Sequence, residues 1–98
     1  MRQEDVSRIA RLMRRFGARG DDGELTAFAD RAFAADAAYM RRTGADAYDE
    51  DDACEAILEA LEEEDGADLD EQAMQTRLLL LDAFMEALAS LREEDAEG

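Results

Sequence analysis

Any chemistry in this chain would fall to carboxylates. It has 27 Asp and Glu residues, no histidine and one cysteine, Cys54. Every one of the 11 basic side chains is Arg. Without histidine there is no His-dependent triad, no zinc–histidine site and no carboxylate–histidine di-iron site. One cysteine makes neither an internal disulfide nor a CxxC redox pair. No glycine-rich phosphate loop occurs, because the six glycines are scattered. Carboxylates alone can hold Ca²⁺ or Mg²⁺, and two clusters qualify by density: Asp49–Asp52 and Glu62–Glu71. The second fails the EF-hand pattern, since a Gly at its sixth position would put Leu61 where Asp is required. Consecutive acids on a helix read first as a solvated face. No cofactor or metal is therefore expected, and the chain reads as non-enzymatic.

Charge is divided unevenly. Residues 1–43 carry nine Arg and seven acids, net +2, whereas residues 44–98 carry two Arg and twenty acids, net −18. The total of −16 exceeds what solubility requires and makes self-repulsion a cost to folding. This acidity resembles a halophilic-type surface; a GC-rich coding sequence with a specifically acidic product explains it equally well.

Four helices must position these groups. Proline is absent, and Val and Ile together number three, too few for a sheet. Ala, Leu, Glu, Arg and Met dominate, all strong helix formers. The expected fold is all-α, a compact four-helix bundle-like domain over 1–92 with short connections and antiparallel neighbours. The helices fall at about 4–16, 24–42, 50–65 and 69–92, followed by a disordered acidic tail over 93–98. Length alone suffices for one hydrophobic core without metals or disulfides.

In the first helix Val6, Ile9, Leu12, Met13 and Phe16 share one face, and Arg8, Arg11, Arg14 and Arg15 the other. Gly17 should terminate it in the left-handed conformation. The basic face reads as solvated and ion-paired with the acidic half. Direct nucleic-acid or membrane binding is not expected against the global negative charge. The second helix presents Leu25, Phe28, Ala29, Ala32, Phe33, Ala35, Tyr39 and Met40, with its N-terminus near Asp22 or Gly23. The third, capped by Asp46 or Asp49, turns Ala53, Cys54, Ile57, Leu58 and Leu61 inward. Cys54 is read as a small packing residue whose acidic neighbours raise the thiol pKa.

The fourth helix is the spine, opened by an Asp68–Glu71 capping box. Its wide stripe takes in Leu69, Ala73, Met74, Leu78, Leu80, Leu81, Phe84, Met85, Leu88 and Leu91. Asp36 and Arg77 are each the one charge centred on an apolar face, so they are expected to meet as a buried ion pair.

Partner contacts are expected at two places. One is the acidic face of the third helix, Asp52, Glu55, Glu59, Glu62 and Glu63; the other is Leu79, alone on a polar face. The function expected is an acidic protein-interaction or regulatory module, cytoplasmic, binding another protein or itself as a homodimer. The alternatives are a DNA mimic that inhibits a basic nucleic-acid-binding protein, and a small carboxylate-based metal-dependent enzyme.

Overall fold

A computed structural model describes residues 2–65 and 70–97. The described chain forms four helices: α1 Arg2–Arg15, α2 Asp22–Thr43, α3 Glu50–Asp65 and α4 Glu71–Glu97. A single 3-10 turn, Ala45–Ala47, lies between α2 and α3. The all-α reading holds, as an arrangement of four packed helices.

Each helix end has a visible cause. Gly17, at φ 95°, ends α1. Its N–H donates to the Arg14 carbonyl at 3.1 Å and the Ala18 N–H to the Met13 carbonyl at 2.9 Å, the paired bonds of a Schellman cap. The α2 cap is Asp21, one residue before the expected position, and its carboxylate accepts from the Glu24 N–H at 2.8 Å. Gly44, at φ 86°, closes α2, with its N–H on the Met40 carbonyl at 2.8 Å. Asp49 precedes α3 and accepts from the Asp51 N–H at 2.8 Å. At α4 the cap is Asp70, whose carboxylate accepts from the Ala73 N–H at 2.7 Å. The expected cap Asp68, and Leu69 of the stripe, lie outside the described residues.

The segment expected as a disordered tail continues α4 as helix to Glu97. Nothing between Arg92 and Glu97 breaks a helix, and Glu94 is held by Arg8 of α1 at 2.6 Å. Gly98 lies outside the described residues.

α1 packs against α2 and α4, and α3 chiefly against α2. Among the described residues α1 and α3 are not neighbours. Arg8, midway along α1, bonds Glu94 near the end of α4, whereas Phe16 and Ala18, just past α1, lie beside Leu79 and Leu80 in the first half of α4, so these two helices run antiparallel. The core is built from Val6, Ile9 and Met13 of α1, Leu25, Phe28 and Ala32 of α2, Ile57 and Leu61 of α3, and Leu81, Phe84 and Leu88 of α4. Ala83 and Ala87, one turn apart on α4, are buried as well, and their small side chains permit a close helix–helix approach. Truncating a fully buried Phe84 to Ala would cost about 3–5 kcal/mol by lost transfer energy and the cavity left behind.

The spine helix is less enclosed than its sequence suggests. Met74 and Leu78, expected in the buried stripe, are 48% and 47% exposed, and Phe16, expected on the apolar face of the first helix, lies just past α1 and is 44% exposed. The reason is where the partners lie. The fully buried α4 residues Leu81, Phe84 and Leu88 sit toward its middle and C-terminal half. At the other end α1 stops at Arg15, which leaves the first turns of α4 partly uncovered. Among the described residues no helix is long and apolar enough to cross a membrane.

Candidate interaction surfaces and the buried polar cluster

Asp36 is buried, 3% exposed, as its place on an apolar face requires. Its partners, however, are not the expected one. Oδ1 accepts from the Tyr48 hydroxyl at 2.5 Å, and Oδ2 accepts from Arg92 Nη2 at 2.6 Å. The Arg92 guanidinium also lies over the Tyr48 ring, 4.7 Å from its centroid. Tyr39 meets Tyr48 edge-on, with ring centroids 5.5 Å apart at 69°. Four side chains from α2, the connector and α4 thus form one cluster.

The expected Asp36–Arg77 pair is replaced by Asp36–Arg92. Direction explains the exchange. Phe28 of α2 and Arg77 of α4 line one shallow depression with Arg31 and Leu61, whereas Asp36 lies two turns further along α2 and bonds Arg92. The two helices therefore run in the same sense, and Asp36 is level with the C-terminal half of α4. Arg77 is buried in its own right. Tyr48 and Arg92 were not singled out in the sequence. Their signals are slight: Tyr48 is an aromatic residue in the connector between α2 and α3, and Arg92 the one cation near the end of an acidic helix.

Burial, reinforced by the bond to Asp36, pushes the Tyr48 hydroxyl up from 10.0 to about 12. It is therefore a fixed proton donor near neutrality, suited to holding a carboxylate and unsuited to acid–base exchange. The cluster acts as a clasp between helices.

The basic face of α1 is divided in its contacts. Arg8 is taken by Glu94 of the acidic half. Arg14 bonds Asp22 at 2.8 Å and the Gly20 carbonyl at 2.8 Å, pinning the α1–α2 loop within its own half. Arg11 and Arg15 are exposed. On α3, Asp52, Glu55, Glu59, Glu62 and Glu63 are all exposed. Neighbouring Glu64 is held by Arg31 Nε at 2.6 Å, which offsets an acidic helix end that opposes the dipole. Because α1 and α3 are not neighbours, the Arg row and the carboxylate row are separated by the body of the bundle.

Cys54 is partly buried and packs against the core. Burial first, and then the charges of Asp82, Asp51 and Glu55, raise its thiol pKa. Among the described residues no group of three or more Cys, Asp and Glu side chains is arranged to hold a metal ion. The Glu62–Glu71 cluster falls partly outside those residues.

Leu79 is 70% exposed, the most exposed large apolar side chain described. It does not stand alone. A groove of about 550 Å³ runs between the end of α1 and α4, lined by Phe16, Ala18, Leu79, Leu80, Ala83 and Met85. Its polar lining includes Arg19, Thr76, Asp82 and Glu86. Leu79, out of place on a polar face in the sequence, and Phe16, expected on the apolar face of the first helix, share this groove. No protein-family model, curated protein or solved structure matches the chain.

Proposed function

We propose that this chain is a non-enzymatic acidic protein-interaction module whose contact surface is the groove between the end of α1 and α4. The observation that carries this reading is the exposure of four large apolar side chains, Phe16 just past α1 and Met74, Leu78 and Leu79 on the first turns of α4, of which Phe16 and Leu79 line the groove. Scattered exposed leucines are ordinary, but exposed apolar side chains at one end of the molecule, two of them sharing a groove, mark a contact site. The residue types speak against catalysis. Histidine is absent from the sequence, and burial and acidic neighbours raise the pKa of the lone thiol.

The test is affinity recovery with the tagged chain, comparing the wild type with Leu79→Asp. Leu79 contributes little to the core, so far-ultraviolet circular dichroism should be unchanged. A protein, or a second copy, retained by the wild type and lost from Leu79→Asp is expected. Recovery that ignores the substitution would refute this surface.

A second reading has its own observation. The five exposed carboxylates on α3 meet no cation among the described residues. A row of this kind can imitate a phosphate backbone and occupy the basic groove of a nucleic-acid-binding protein. The combined variant Glu55→Gln, Glu59→Gln, Glu62→Gln separates the two. It should abolish recovery of a DNA- or RNA-binding protein under this reading and leave a Leu79-dependent partner in place under the first.

A further inference from the structure

The α1–α4 groove is apolar at its floor, acidic on the α4 side through Asp82 and Glu86, and carries one cation, Arg19, on the side of the α1–α2 loop. Leu79, Asp82 and Glu86 follow one another at helical spacing along one face of α4. Asp82 and Glu86 are both exposed, and neither is paired with an Arg among the described residues. An occupant must therefore bring apolar side chains to Phe16, Leu79, Leu80 and Met85, and positive charge to Asp82 and Glu86. Met85 and Phe16 add adaptable, polarisable surface to the floor.

The molecule itself shows what α4 accepts. α1 is a cationic amphipathic helix, with Val6, Ile9, Leu12 and Met13 buried and Arg8, Arg11, Arg14 and Arg15 on the other side. It packs on α4 through its apolar stripe, while Arg8 bonds an α4 carboxylate, Glu94, at 2.6 Å. Beyond Arg15 that helix stops, and the groove begins where its cover ends.

We propose that this groove seats a cationic amphipathic helix of a partner protein, in the manner in which α4 already holds α1. The inference rests on the interaction reading above and adds the chemistry of the partner. A second copy of this chain is the poorer occupant, because each copy carries a net charge of −16 and association would bring the two fields together. An added β-strand has no edge to join, since the described residues contain no strand. A helix with an apolar stripe and Lys or Arg on its flanks satisfies both the floor and the acidic side.

The experiment titrates the whole chain with three synthetic peptides of about five helical turns, read by fluorescence anisotropy. One carries a Leu stripe at helical spacing with Lys and Arg elsewhere. The second has the same composition with the stripe scrambled. The third keeps the stripe and replaces the cations with Glu. The first alone should bind, and more weakly as salt is raised. Leu79→Asp should weaken it by about tenfold or more, the loss expected when a buried leucine contact is removed. Asp82→Asn with Glu86→Gln should weaken it several-fold and flatten its salt dependence.

Equal binding of the scrambled peptide, or binding indifferent to Leu79→Asp, overturns the proposal. So does Leu79-dependent self-association in sedimentation velocity, which would assign the groove to a second copy. The failures are distinguishable. A Leu79-dependent partner recovered while no cationic peptide binds removes the cationic helix and leaves the interaction surface. Loss of both removes both.

Discussion

Arg92 and Asp36 are 56 positions apart in the chain and 2.6 Å apart at Nη2 and Oδ2. The carboxylate is almost wholly buried, whereas the guanidinium side chain keeps 38% of its surface exposed. The pair therefore combines an expensive anion with a cation that remains partly hydrated. Removing the cation is the more informative perturbation, because it leaves a buried carboxylate served by Tyr48 alone.

Arg92→Met should destabilise the fold by about 1–3 kcal/mol, less than for a fully buried pair because solvent screens Arg92. Urea denaturation gives the value. Asp36→Asn in the Arg92→Met background should cost less than it does alone, which a double-mutant cycle measures. Strict additivity would mean that the two groups do not interact in solution.

Tyr48 makes stability fall in alkali. Its hydroxyl ionises at 10.0 in the unfolded reference and at about 12 in the native fold. In that window the native form holds a proton that the unfolded form has lost. The contribution is complete below pH 10.0 and disappears as pH rises through about 12. Tyr48→Phe should be less stable than the wild type near neutrality, by about 1 kcal/mol for one lost hydrogen bond. It should also lose less stability between those two pH values. A variant whose stability declines in parallel with the wild type across that range would contradict the assignment.

Cys54 should alkylate slowly. Burial leads the rise in its thiol pKa, and the negative charges of Asp82, Asp51 and Glu55 add to it. At neutral pH the native chain should react with iodoacetamide more slowly than the same chain in urea. Asp82→Asn should speed the native reaction, since it removes one of those charges. Native and unfolded rates that coincide would place the thiol in open solvent.

Salt should strengthen the fold. A net charge of −16 on 98 residues repels itself, and about 1 M salt shortens the Debye length to roughly 3 Å. The exposed bonds Arg8–Glu94 and Arg14–Asp22 weaken under the same conditions, but surface pairs of this kind contribute only about 0–1 kcal/mol each. The urea midpoint should therefore rise with sodium chloride. A falling midpoint would mean that the ion pairs outweigh the repulsion.

The helices were legible because their signals are local. Gly17 ends α1 where its position after a periodic apolar run says it should, and α3 runs from Glu50 to Asp65 as read from pattern. Asp36 and Arg77 were both recognisable as charges on apolar faces, and both are buried. Their partners were not recognisable, because pairing depends on the relative direction of α2 and α4. Helical periodicity says which face of a helix is buried and nothing about which level of the neighbour it meets. Met74 and Leu78 were misread for a related reason. An apolar stripe shows what a helix can cover, whereas exposure depends on how far the covering helix extends, and α1 stops at Arg15. Leu79 was visible as an anomaly; that Phe16 shares its groove required the antiparallel placement of α1 on α4.

That placement also bears on the timing of synthesis. The apolar face of α1, with Val6, Ile9 and Met13, is synthesised before the Phe84–Leu88 turn of α4 that packs into the same core. At about 5–20 residues per second, the oldest greasy surface waits several seconds for the youngest. Through that interval the nascent chain carries a cationic amphipathic helix whose acidic counterpart is still being made.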